Sequence, residues 1–170
     1  MLVNNAGFGI PGKFAAIPLE QHLAMIQVHV HASVRLCHAA LPGMVAKGHG
    51  AIINVSSIGA FMPKPEDATY CATKAYLKTF SQALHSELRG TGVQVQALCP
   101  GFTATEFLDQ PLYEQCHIKA SIPKVLWMAA EDVVAESLAA LARDRVVCVP
   151  GLKNRFMLAC AQLGFTNFLL

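Results

Sequence analysis

Tyr70 and Lys74 stand four residues apart, and Ser57 precedes the tyrosine by thirteen positions, within SIGAFMPKPEDATYCATK. Residues four apart on a helix share a face. A helix starting near Tyr70 therefore points its phenol and the Lys74 ammonium into one space. A free phenol titrates near pH ~10, too high for acid–base work at neutrality. A neighbouring cation favours the phenolate, which predicts a lowered pKa for Tyr70. The Ser57 hydroxyl, brought beside the phenol, could hold a substrate oxygen in place. Together the three predict a proton-transfer device. On its own the YxxxK spacing is a weak signal, because an exposed pair is its commoner cause.

The surrounding elements sharpen the reading. Ser57 ends AIINVSS, an apolar run of strand type, predicted as strand over 51–56. VQVQALCPG predicts a strand over 93–98 that stops at Pro100 and Gly101. MLVNNAG predicts a first strand over 2–5 that enters a turn. Strand-NNAG, strand-NVSS, YxxxK and strand-PG, in that order, resemble the short-chain dehydrogenase/reductase family. Four motifs in register cover nearly the whole chain.

Helical periodicity fills the intervals. Over 19–47, Leu23, Ile26, Val30, Val34, Cys37 and Leu41 recur at threes and fours, and Pro42-Gly43 predicts a bend or break near the end. KGHG closes that helix. A second helix is predicted over 68–89, presenting Ala72, Ala75, Leu84 and Leu88, with Gly90 and Gly92 ending it. A third is expected over 131–142, before a short strand over 146–149. Between 102 and 121 the pattern fails, leaving scattered Phe107, Leu108, Leu112 and Tyr113. Ordinary packing accounts for these; in the family, the corresponding segment covers substrate, which hints at an apolar one. Strands alternating with helices predict an α/β fold, a partial doubly wound (Rossmann-like) parallel sheet with flanking helices. No repeat or linker divides the chain, so residues 1–170 read as a single domain.

Composition excludes several classes. The chain has 170 residues, 54% of them hydrophobic and only 14% charged, as suits one compact core. A formal net charge of +2 without a basic stripe argues against a nucleic-acid partner. Six cysteines without CxxC or framework spacing read as reduced thiols of a cytoplasmic protein. No signal peptide is visible, and no apolar run reaches the ~20 residues that span a bilayer. The apolar end FMLACAQLGFTNFLL reads as a docking or oligomer-interface segment in preference to membrane contact.

The family resemblance implies roles residue by residue. Tyr70 would be the general acid/base, Lys74 would lower its pKa and contact the nicotinamide ribose, and Ser57 would orient the substrate carbonyl or hydroxyl. Asn5, Ala6 and Gly7 match the motif near the adenosine end, although Asn4 and Asn5 could instead tie strands together. Pro100 and Gly101 match the turn beside the nicotinamide, and Thr105 the threonine at its carboxamide side. The implied reaction interconverts an alcohol and a carbonyl on a small apolar substrate, with NAD or NADP as hydride carrier. Association through the YxxxK helix implies a homo-oligomer.

Two departures stand out. MIQVHVHA puts His29 where the family carries an asparagine that supports a water chain to the lysine. That places normal proton relay in question. His29 and His31, at i and i+2, do not face each other, so a packed or surface histidine is preferred to a metal ligand and no metal is expected. The second departure is the dinucleotide motif. Gly7, Gly9 and Gly12 match the letters of GxGxxG, but Pro11 sits where a helix should open, so the segment reads as a loop. The family's N-terminal Gly-rich motif and ribose selector are not found. The chain is therefore expected to represent the catalytic half, with NAD or NADP binding dependent on a missing half. An alternative is a carboxylesterase using Ser57 with Tyr70 and Lys74, which needs no cofactor but lacks a GxSxG elbow. A third reading is a non-catalytic fragment or pairing subunit.

Overall fold

The computed structural model describes residues 1–109, 119 and 122–162. Four parallel strands form the main sheet in the order β1 (Leu2–Asn4), β2 (Gly50–Val55), β3 (Val93–Leu98) and β6 (Val147–Cys148). A separate parallel pair joins β4 (Thr103–Ala104) to β5 (Met128–Ala129). Helices cover both faces: α1 (Leu19–Ile26), α2 (Ala32–Lys47), α3 (Ala68–Glu87), α4 (Ala130–Leu141) and α5 (Leu152–Gln162). The α/β architecture with a flanked parallel sheet is the one expected.

Successive residues of a strand face opposite sides. Ile52 accordingly packs with Cys37, Leu84 and Val95 on the side of α2 and α3. Its neighbour Ile53 packs with Leu98, Val133, Leu141 and Cys148 on the side of α4. Register runs Asn4 to Asn54 and Val55 to Leu98, so the C-terminal ends of β1, β2 and β3 lie side by side. Ligands of open parallel sheets collect at that end.

Several expectations need correction. The 19–47 helix is not one α-helix: a π segment, Gln27–His31, separates α1 from α2. Its buried face is also displaced from the predicted stripe. His22, Met25, His29, Ser33 and Cys37 are buried, while Leu23 is 53% exposed. Pro42 and Gly43 do not end the helix, which continues to Lys47. Both residues are exposed, as is His38, so water can take the carbonyl that proline leaves unpaired. Gly48 then stops it in the left-handed region at φ 68, donating its N–H to the Met44 and Val45 carbonyls. On α3, Ala72 is exposed; the inward positions are Cys71, Thr73, Lys74, Leu77, Ser81 and Leu84. The helix α5 starts before the segment read only as a docking end and runs into it, burying Asn154 ahead of that segment and Leu158 within it. Leu112, Tyr113, Cys116 and residues 163–170 lie outside the described residues. Among the described residues no helix is long and apolar enough to cross a membrane.

Polar pairs run through the core. The Asn4 side-chain amide donates to Asn54 Oδ1 at 2.7 Å, and Asn54 Nδ2 donates to Ser81 Oγ at 2.9 Å. Asn4, the register partner of Asn54, thus ties β1 to β2, and Ser81 adds α3. Across the sheet, Gln96 Nε2 donates to the Ser137 carbonyl at 3.2 Å, and Ser137 Oγ donates back to Gln96 Oε1 at 2.6 Å. Buried amides paired this way fix which helix meets which strand.

Candidate active site

Ser57 leaves β2 in extended conformation and caps a short 3-10 turn, Ile58–Ala60. Its Oγ accepts the Gly59 N–H at 3.1 Å. The Ile58 N–H meanwhile donates to the Pro100 carbonyl at 3.0 Å, joining the exits of β2 and β3. A methyl group on Gly59 would lie 3.5 Å from Ser57 Oγ and 3.7 Å from Tyr70 Cε1. The hydroxyl and the phenol thus flank one glycine. Tyr70 lies in the first turn of α3, between the rings of His29 (centroids 5.9 Å) and Phe107 (6.2 Å).

Lys74 follows one turn later and is 4% exposed. Its Nζ donates to the Val55 carbonyl at 2.9 Å and stands 5.6 Å from the centre of the Tyr70 ring. Burial lowers the lysine to about 8. Burial pushes the Tyr70 phenol up to about 12; a hydrogen bond with Ser57 opposes that rise and the Asp67 charge adds to it. The expected lowering by Lys74 is not realised in this chain. The ammonium is spent on a backbone carbonyl, and desolvation of the phenolate outweighs what remains.

His29 is 1% exposed and uses both ring nitrogens. Nε2 accepts the Phe8 N–H at 3.0 Å, and Nδ1 lies 2.8 Å from Thr73 Oγ1. The Thr73 hydroxyl donates to the Tyr70 carbonyl at 2.8 Å, so the Nδ1–H must donate to Thr73 Oγ1. Burial first, then the charge on Lys74, hold His29 down to about 3, which keeps it neutral. His22, one π segment upstream, makes a parallel contact: Nδ1 with Thr69 Oγ1 at 2.8 Å and Nε2 with the Phe14 carbonyl at 3.2 Å. The two imidazoles grip threonines on either side of Tyr70.

The remaining assigned residues cluster at the same sheet end. Asn5 and Ala6 are exposed at the exit of β1, beside half-buried Gly7. A methyl group at Gly7 would come within 2.8 Å of His29 Nε2 and 3.5 Å of Lys74 Nζ, so only glycine permits that approach. The turn after β1 leads into a 3-10 turn, Phe14–Ala16, and α1 opens only at Leu19, so no glycine loop feeds a helix there. Gly101 packs on buried Asn154 of α5, where a methyl group would lie 2.5 Å from Oδ1. Asn154 in turn donates to the Pro150 carbonyl at 2.8 Å. Thr105 is exposed and caps the turn Glu106–Leu108 by accepting the Phe107 N–H at 3.3 Å. Phe8, Thr73 and Asn154 had no distinguishing signal in the sequence. Among the described residues no group of three or more His, Cys, Asp or Glu could hold a metal ion.

Residues 1–115 match the short chain dehydrogenase family, and the chain belongs to it. It is 35% identical over 143 residues to hydroxysteroid dehydrogenase-like protein 1 of Gallus gallus, covering 83% of this chain and 41% of that protein. It is 36% identical over 136 residues to the human very-long-chain 3-oxoacyl-CoA reductase, covering 74% of this chain and 43% of the relative. A short-chain dehydrogenase from Sphingobium yanoikuyae, solved in complex with NADPH, superposes with a TM-score of 0.78 at 31% identity. That match covers 99% of this chain and 65% of the solved one. The chain thus spans about two fifths of the length of these two curated relatives.

Proposed function

We propose that this chain carries the proton-transfer half of an NAD(P)-linked oxidoreductase that interconverts an alcohol and a carbonyl on an apolar substrate, bulkier than the small one expected from the sequence. The observation that carries this is the meeting of Ser57, Tyr70 and Lys74 around Gly59 and the end of β2. Tyr70, holding its proton well above neutrality, is in the form that donates to a carbonyl oxygen. Ser57 holds that oxygen by donating its hydroxyl hydrogen, while its own lone pair keeps the Gly59 N–H. Phe107 on one side of the phenol, with Phe102 and Trp127 in tilted contact at 6.0 Å between ring centres, supports an apolar substrate. The named activities of the two relatives, a hydroxysteroid dehydrogenase-like protein and a very-long-chain 3-oxoacyl-CoA reductase, agree with a bulky apolar one.

The residues present fit the nicotinamide end of a dinucleotide. Half-buried Gly7, after exposed Asn5 and Ala6, adjoins buried Lys74, and the 100–101 turn adjoins Ser57 through Ile58. Lys74 would hold the ribose, Pro100, Gly101 and Thr105 the nicotinamide, and Asn5, Ala6 and Gly7 the adenosine side. The nucleotide supplies or accepts the hydride when bound. Leu19, Leu23 and Leu36 along α1 and α2, and Tyr76 on α3, are exposed, which supports association of two copies along these helices.

The test is titration of the chain with NADPH and NADH, followed by reduction of a long-chain 3-oxoacyl thioester and a bulky ketone. With the nucleotide-binding half supplied, saturable binding, and reduction that falls at least about a hundredfold in Tyr70→Phe, is the expected result. Turnover of an apolar ester that needs Ser57 and no nucleotide would replace this reading with the hydrolase.

A further inference from the structure

The turn after β1 and the opening two turns of α3 have no strand pairing between them, yet a single buried side chain bonds to both. From the Phe8 N–H the hydrogen bonds run in one direction: into His29 Nε2, out of Nδ1–H to Thr73 Oγ1, and from the Thr73 hydroxyl to the Tyr70 carbonyl. Each bond is 3.0 Å or shorter. The ring is also fixed by shape. It touches Phe8 and Tyr70 edge-on, and it occupies the space that a side chain at Gly7 would need. It stands in the π segment, an arrangement that recurs at functional positions because it redirects one side chain without ending the helix.

We propose that His29 is a positioning residue: a neutral imidazole strut, with Gly7 as its obligate neighbour, that couples the 5–8 turn to the attitude of Tyr70. This rests on the reading of Tyr70 as the proton donor, but its chemistry is separate. The strut requires one particular tautomer. An Nε2–H form would set two donors against each other at Phe8, and an imidazolium would do the same. It also makes His29 neither a metal ligand nor a proton carrier, since its only acidic hydrogen is committed to Thr73. Whatever occupies the 5–7 backbone then acts on Tyr70 through this ring.

Three measurements test it without requiring turnover. In the wild-type chain, 15N resonances of His29 are expected to show a protonated Nδ1 and a lone-pair Nε2; the opposite assignment overturns the proposal. In His29→Ala, the Tyr70 phenol titration, followed on 13C-labelled tyrosine, is expected to move by about one pH unit. Imidazole, which can both accept from Phe8 and donate to Thr73, is expected to restore it. N-methylimidazole, which cannot donate, is expected not to. Equal rescue by both, or an unmoved titration, overturns the proposal. If His29→Ala does not fold, Gly7→Ala displaces the ring without deleting it and is read in the same way. Gly43→Ala, at an exposed helical site with nothing within 4 Å, is the control and leaves the Tyr70 titration unchanged. Loss of carbonyl reduction with all three results intact would sink the proposed function and leave the strut standing.

Discussion

Lys74 gives its ammonium to the carbonyl of Val55 at 2.9 Å, while the Tyr70 ring centre stands 5.6 Å away. A lysine on the right helical face has therefore bonded to the strand beneath it. Tyr70, buried between the rings of His29 and Phe107, keeps its proton.

That arrangement fixes a pH dependence for Lys74. Its folded pKa, about 8, lies below the ordinary lysine value of 10.5. Between these values the unfolded chain binds more protons than the folded one, so stability rises with pH. The contribution is complete above pH 10.5 and is lost as pH falls through about 8. Urea melts of wild type and Lys74→Met across this window are expected to differ in slope by up to about 1.4 kcal/mol per pH unit. Identical slopes would mean the ammonium is solvated.

Tyr70 runs the other way. Its folded pKa, about 12, lies above the ordinary 10, so the folded chain holds a proton the unfolded chain has lost. This contribution is complete below pH 10 and disappears as pH rises through about 12. Ultraviolet difference titration of wild type against Tyr70→Phe is expected to isolate one late-titrating phenol among the three tyrosines. A Tyr70 signal near pH 10 would contradict the burial of the phenolate.

The buried amide of Asn54 links β1 and α3 through Asn4 and Ser81. Asn54→Ala leaves the Asn4 Nδ2 without its oxygen partner and is expected to cost about 1–3 kcal/mol. A cycle with Ser81→Ala is expected to give a coupling of at least about 0.5 kcal/mol by chemical denaturation. Additivity within error would show that the 2.9 Å contact carries no shared energy.

Two glycines make opposite predictions. Gly43 lies inside α2 with open space around it, so Gly43→Ala is expected to stabilise by about 0.5–1 kcal/mol. At Gly50 a methyl group would come within 2.6 Å of Met44 Cγ, and Gly50→Ala is expected to cost about 1–3 kcal/mol. Thermal melts of the two variants should bracket the wild type. Two variants on the same side of it would break the argument.

The sheet was legible because β2 and β3 are rich in aliphatic residues and end in sharp punctuation. The strand over 93–98 has the bounds expected, the other three strands of the main sheet differ by a residue or two at their ends, and the β4–β5 pair was not expected. The inward face of the long helix was harder to read, because His22, His29 and Ser33 occupy it. His22 and His29 are satisfied by threonines far away in sequence and Ser33 by the His29 carbonyl one turn back, so a count of apolar residues selects the neighbouring stripe through Leu23 instead. The grouping of Ser57 with Tyr70 follows from helical spacing and the strand exit. The partner of Lys74 did not, since a backbone carbonyl on β2 carries no mark in the sequence. The helix over 152–162 was missed for a related reason: its buried anchor is Asn154, a polar residue that reads as surface.

The π segment has one more effect, on phase. A helical turn of 3.6 residues advances each side chain by about 100°, and a turn widened to hold an extra residue resets that count. His22 stands before this reset and His29 inside it, and they meet Thr69 and Thr73 respectively. Removing one residue from the 27–31 segment would leave composition almost untouched and straighten the helix. It would also rotate α2 against α1, so that one histidine at a time could reach α3. Chain length within five residues therefore sets which side chains meet Tyr70 as firmly as their chemistry does.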